Sequence, residues 1–245
     1  MIEHGAASFG QCRVHPAGDG RVKIPGGQRG TGRRDGEQGG RGGRVHGVAA
    51  ANAIDLAHPA TSGTFSGGVT HAAGYVQGDG ISGSFDTASS PASNGMSLSS
   101  LSLAYASPQS AASTIDVLIG SSDAAVTTQL SLWANHIFRC LYPEQLGASS
   151  ETTFDGVFLA TRNGAAMETA RRVASATSII GSGTISVSAG PLPSPAITAM
   201  SRGGVDHSSH RLSLIGIAHT GHSSTQRDSF LAATETLLGN WPGAL

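Results

Sequence analysis

The sequence predicts an α/β fold, a mostly parallel or mixed sheet with helices on both faces, following a disordered Gly/Arg-rich head. Three observations carry that expectation. From residue 94 onward, short apolar runs of strand character alternate with segments of helical spacing, the pattern that crossover connections produce. The strongest of these segments, residues 123–141, sets Val126, Leu130, Trp133, Ala134, Ile137, Phe138 and Leu141 on one stripe and is closed by Pro143. Ser223 and Gln226 form a capping box ahead of a helix expected over 224–238, with Gly239 as its stop.

The elements follow in order. Residues 60–90 are rich in Gly, Ser and Thr, yet Phe65, Val69, Tyr75, Val76, Ile81 and Phe85 recur among them, which predicts short strands and turns. In 94–105, Leu98, Leu101 and Tyr105 fall at i, i+3 and i+7 and predict a helix, against a local alternation of Met96, Leu98 and Leu101, Leu103. Residues 114–120 read as a short buried strand before the 123–141 helix. A strand over 154–160 precedes a helix over 165–177, spaced by Met167, Ala170, Val173 and Ala174. Residues 179–189 and 212–218 are further strands. The last helix carries Phe230, Leu231, Leu237 and Leu238 on one side.

At 245 residues the chain is expected to form a head over residues 1–50 and one domain over 51–245. Charged residues make up only 13% of the chain, too few for a chain kept unfolded by its own charge. No run reaches the ~18 apolar residues of a membrane helix, and residues 1–15 hold no apolar segment after a basic start. A soluble, cytoplasmic protein without a membrane partner is the expectation. Cys12 and Cys140 match no metal-binding spacing and are expected as reduced thiols.

The net charge of -1 conceals an asymmetry. Residues 1–50 hold eight Lys/Arg against four Asp/Glu, and residues 51–245 hold seven against twelve. Within 26–44, nine of nineteen residues are Gly and five are Arg, with no apolar side chain. Such a segment has nothing to bury, and its guanidinium groups suit phosphate oxygens, so nucleic acid is a possible partner of the head. No aromatic residue is interleaved there to stack on bases.

Four of the ten histidines, His207, His210, His219 and His222, crowd the C-terminal third beside Asp206. Two HxxH pairs with an extra carboxylate could hold zinc or a similar ion. If 212–218 is a strand, however, the pairs sit at its two ends, roughly 20 Å apart at ~3.3 Å per residue, and cannot share one ion. No G-x-S-x-G elbow at a strand-to-helix junction, no G-x-G-x-x-G opening a helix after a strand and no Walker lysine is present, so no cofactor is expected.

Several segments, in order, resemble the β-ketoacyl synthases, condensing enzymes of the thiolase fold. Asp86-Thr87-Ala88-Ser89-Ser90 is similar to the segment bearing the family's nucleophilic Cys, and Asp116-Val117-Leu118-Ile119-Gly120 to the strand after it. Phe154-Asp155-Gly156-Val157-Phe158 with Asn163-Gly164-Ala165-Ala166 is similar to a later family segment, and Ala218-His219-Thr220-Gly221-His222 to the family's strand-end histidine. The resemblance implies a catalytic set of Ser89, His222 and His207 (His210 in its place is an alternative), with the two histidines as oxyanion stabilisers. It implies an acyltransferase of fatty acid or polyketide-type synthesis, served by acyl carrier protein and forming a homodimer or a heterodimer with an active synthase. Ser89 stands where the family has Cys, and Lys23 is the only lysine, so the family's active-site lysine has no counterpart. A weakly active synthase or a non-catalytic partner of one is therefore implied, with the Arg/Gly head and the His207–His222 cluster as alternative seats of function.

Overall fold

The computed structural model describes residues 10–13, 63–108, 117–123, 129–133, 138–140, 145–146, 154–185 and 191–239. Among them are sixteen strands, numbered in chain order, and one helix, and every strand pairing is antiparallel. A six-stranded sheet runs in the order β1 (Gly10–Arg13), β16 (Leu214–Ala218), β6 (Ser100–Ser107), β11 (Gly156–Asn163), β12 (Ala166–Val173), β13 (Ala176–Thr184). A seven-stranded sheet runs β10 (Gln145–Leu146), β9 (Phe138–Cys140), β8 (Gln129–Trp133), β7 (Val117–Ser122), β14 (Thr198–Ala199), β5 (Ser84–Asp86), β2 (Thr64–Ser66). A small third sheet is β15 (Arg211–Leu212), β4 (Tyr75–Gly78), β3 (Val69–Ala72).

One apolar core joins the three sheets. Leu101, Leu103, Tyr105, Phe158, Ala160 and Met167 face Leu118, Ile119, Phe85 and Ala199 of the seven-stranded sheet, with Val76 and Leu212 of the third. The Tyr105 and Phe158 rings stack at 4.5 Å, and the Arg171 guanidinium lies 5.9 Å from the Phe158 ring while its Nε donates to the Asp155 carbonyl. The opposite face of the six-stranded sheet is lined by Ala104, Ala106, Val157, Leu159, Ala170 and Leu214. On these small side chains lies the helix α1 (Ser224–Gly239), which buries Arg227, Leu231, Thr234 and Leu238. Burying Leu231 and Leu238 contributes about 1.5–3 kcal/mol each.

The α/β, thiolase-like architecture is corrected by these pairings. A thiolase fold needs parallel strands linked by crossover helices, whereas here strands lead into antiparallel neighbours and one helix is described. Membership of the β-ketoacyl synthases, and the transferase character that came with it, lose the scaffold they require. The helix expected over 94–105 is a turn followed by β6, in which Leu101, Leu103 and Tyr105 enter the core while Ser102, Ala104 and Ala106 point toward α1. The stripe over 123–141 includes β8 and β9, and the segment 165–177 is β12 with the start of β13. Alternation is hidden in β6 and β11 because both of their faces are buried, so apolar or small residues occupy nearly every position.

Other expectations agree with the structure. Short strands occur within 60–90, and strands occupy most of 154–160 and 212–218, the latter interrupted at Ser213. The capping box is present: Gln226 Oε1 accepts the Ser223 N–H at 2.9 Å, and Ser223 Oγ accepts the Gln226 N–H at 3.4 Å. Within residues 1–50, β1 pairs with β16, and the Arg-rich segment 26–44 lies outside the described residues. No described helix is long and apolar enough to cross a membrane.

Candidate functional site

On the α1 side of the six-stranded sheet, pairing register aligns Ala218, Ser102, Thr161 and Glu168 in one row across β16, β6, β11 and β12. After Ala218 the chain turns back over this row. Gly221 permits the turn, since a Cβ there would lie 2.0 Å from the Arg162 carbonyl oxygen. The Gly221 N–H donates to Ser100 Oγ at 2.9 Å, and the His222 N–H donates to Thr161 Oγ1 at 2.7 Å. Ser102 Oγ then lies 2.8 Å from His222 Nδ1, 2.9 Å from Thr161 Oγ1 and 2.9 Å from the Thr220 carbonyl. Beyond Glu168, the Arg227 guanidinium of α1 closes the row by an ion pair with its carboxylate.

A serine beside a neutral imidazole has the composition of a nucleophile and its base. Burial pushes the His222 ring below its ordinary pKa, opposed by a hydrogen bond to the Thr220 backbone, which favours the neutral form that such a base needs. Access decides against that use. Ser102 is 0% exposed, Thr161 4% and His222 8%, and Ser102 lies within an inner strand beneath the start of α1. One hydroxyl proton also serves three neighbours here. The arrangement holds a loop and a helix start against a sheet; it leaves no room for a substrate carbonyl at Ser102 Oγ.

The residues expected from sequence are dispersed. Ser89 lies in the turn between β5 and β6, half-buried, with its Oγ 3.3 Å from Ser93 Oγ and its carbonyl accepting the Ile197 N–H. It does not open a buried helix as the resemblance required. His207 places Nδ1 3.1 Å from the Gly83 carbonyl and Nε2 3.1 Å from the Gly204 carbonyl. His210 is fully buried with its ring edge-on to Phe154 at 5.8 Å, and His219 is exposed. Among the described residues no group of three or more His, Cys, Asp or Glu could hold a metal ion. Of the predicted set, only His222 belongs to the polar row. Ser102, Thr161, Glu168 and Arg227 went unrecognised; Ser102 is one of three serines in the strand SLSLAYAS, and Thr161 stands next to Arg162 and Asn163 in GVFLATRN, so neither hydroxyl is singled out locally.

Fold and site together define the chain as an antiparallel β-sandwich with a helix clasped to one outer face by buried polar contacts. No family model matches the chain, and no curated protein matches it in sequence. Among solved structures it is similar to the exoplasmic/lumenal domain of VIP36 in its Ca2+/Man2-bound form. The two share 10% identity at a TM-score of 0.34, over 70% of this chain and 86% of that one.

Proposed function

We propose that this chain is a polyanion-binding protein, a β-sandwich body carrying an arginine/glycine segment that engages single-stranded nucleic acid or a similar phosphate-rich partner. The observation that carries this reading is the commitment of the six arginines of the body whose side chains are described. Arg171 pairs with Asp155, Arg172 with Glu235, Arg202 with Asp206, and Arg227 with Glu168 and Asp228. Arg162 donates to the Gly164 carbonyl, and Arg211 donates to Gln77 and stacks over the Tyr75 ring at 4.9 Å. The densest run of other cations is the segment 26–44, where Arg29, Arg33, Arg34, Arg41 and Arg44 stand among nine glycines, and the reading assigns cationic recognition to it. Guanidinium forks suit phosphate oxygens, and displaced counterions supply the driving force.

The test is binding of the full chain to a single-stranded oligonucleotide across a salt series, beside a variant with all five of these arginines changed to serine. The expected affinity falls steeply with salt, log Kd changing by roughly 0.7 per log unit of salt for each phosphate contacted. In the variant, both the affinity and most of that slope should disappear. Equal binding by the two proteins would remove the segment from the function.

A further inference from the structure

We propose that His207 is a proton-dependent clasp between two surface loops, residues 79–83 and 200–207. The geometry supplies the argument. Each ring nitrogen lies 3.1 Å from a carbonyl oxygen, Nδ1 from Gly83 on one loop and Nε2 from Gly204 on the other. Carbonyl oxygens only accept. A neutral imidazole carries one N–H and one lone pair, so it satisfies one carbonyl and points its lone pair at the other; an imidazolium donates to both.

The two loops are suited to such a clasp. On one, Asp79 Oδ1 accepts the N–H groups of Ile81, Ser82 and Gly83, and Oδ2 accepts from Ser82 Oγ. These bonds hold the Asp79 carboxyl far below the usual carboxylate range, so this loop keeps its shape through mildly acid conditions. The other loop places two non-glycine residues, Met200 and Asp206, at positive φ, beside Gly203 and Gly204, which adopt it freely. It is held by paired backbone bonds between Arg202 and Val205, by the Arg202–Asp206 ion pair and by the Gly203 N–H donating to Thr198 Oγ1. The tips carry Ile81, 79% exposed, and Val205, 52% exposed. Only the Gly83 arm spans the two loops, and losing it releases the relative position of these two apolar side chains, while losing the Gly204 arm loosens the 200–207 loop itself.

The other charged groups carried by the two loops are Asp206 and Arg202 on the His207 loop and Asp79 on the facing one. The first two are paired with each other, and Asp79 is engaged by backbone. Burial lowers the pKa values of His71 and His222, so acid weakens the fold through them, whereas acid tightens the clasp. The opposite sign separates the effects.

The experiment is amide hydrogen exchange of the full chain between pH 5.5 and 8, corrected for intrinsic exchange, beside His207→Gln. Loss of one hydrogen bond predicts that protection of the 79–83 and 200–207 segments drops about five-fold as pH rises. In the variant, protection of these segments should not drop as pH rises. Flat protection in the natural chain, or a variant that keeps the pH response, would overturn the proposal. A second readout does not depend on the variant folding: by NMR, the amides of both loops should titrate together with the His207 ring nitrogens. Loop amides that titrate apart from that ring would also overturn it.

Discussion

Ser102 Oγ lies 2.8 Å from His222 Nδ1, and this contact ties an inner strand of the six-stranded sheet to the residue that leads into α1. Both partners are buried, so neither can exchange the other for water. Ser102→Ala removes hydrogen bonds to the imidazole, to Thr161 Oγ1 and to the Thr220 carbonyl and is expected to lower stability by about 1–3 kcal/mol. Thr161→Val removes the acceptor of the His222 N–H and is expected to cost a similar amount. Ser182→Ala, on exposed β13, serves as control and should stay within about 0.5 kcal/mol. Denaturant midpoints measure all three, and an unchanged midpoint for Ser102→Ala would show that the contact adds nothing.

The same burial makes the fold sensitive to acid. The folded chain disfavours protonated His222 and His71, mainly by desolvation, whereas the unfolded chain binds those protons near the ordinary value of 6.5. Stability from both residues is complete above about pH 6.5 and is lost as pH falls below it. Urea midpoints taken from pH 7.5 down to 5 should therefore decline. His222→Gln should show a shallower decline from a lower starting point, and a slope identical to the natural chain would remove His222 as a cause.

Two ion pairs fasten α1 to β12. Arg227 meets Glu168, and Arg172 Nε donates to Glu235 Oε2 at 2.8 Å, with the Arg172 and Glu235 side chains only 18% and 16% exposed. Screening by salt is weak for groups this enclosed. Glu235→Gln and Glu168→Gln are each expected to cost about 1–3 kcal/mol, and the loss should persist in high salt. Asp228 pairs with Arg227 and also lies in the field of Arg172, so the two sites are coupled and the double variant should depart from the sum by about 0.5 kcal/mol or more. A loss that vanishes in high salt would mark these contacts as surface pairs of little value.

How far the sequence disclosed this arrangement depended on the reach of the signal. The Ser223–Gln226 capping box is local, with two side chains answering two backbone groups, and the helix it announces is present. The helix proposed for 165–177 is a case of tertiary contacts overriding propensity. Ala166, Met167, Glu168, Ala170 and Arg171 favour helices, yet pairing with β11 on one side and β13 on the other makes them a strand. β6 was misread because its small residues face α1 and its large ones face the second sheet, so neither side is polar enough to show period two. The polar row was hidden for a related reason. In a chain rich in serine, nothing local marks Ser102 as the one that meets a histidine 120 positions away.

Gly221 offers the most direct way to disturb the row without altering any of its polar groups. A methyl there would sit 2.0 Å from the Arg162 carbonyl oxygen and 2.7 Å from its carbon, both backbone atoms of β11, which cannot rotate away. Gly221→Ala must therefore lift the 219–222 loop off the strand, stretching the bonds from Gly221 to Ser100 and from His222 to Thr161. We expect a loss of about 2 kcal/mol or more. The distinguishing consequence is at His222. Lifted toward water, its ring loses the desolvation that depresses its pKa, so its NMR titration should move up toward the ordinary histidine range. A variant that is destabilised while its His222 titration stays put would mean that the loop yields elsewhere and that Gly221 does not set the position of the imidazole.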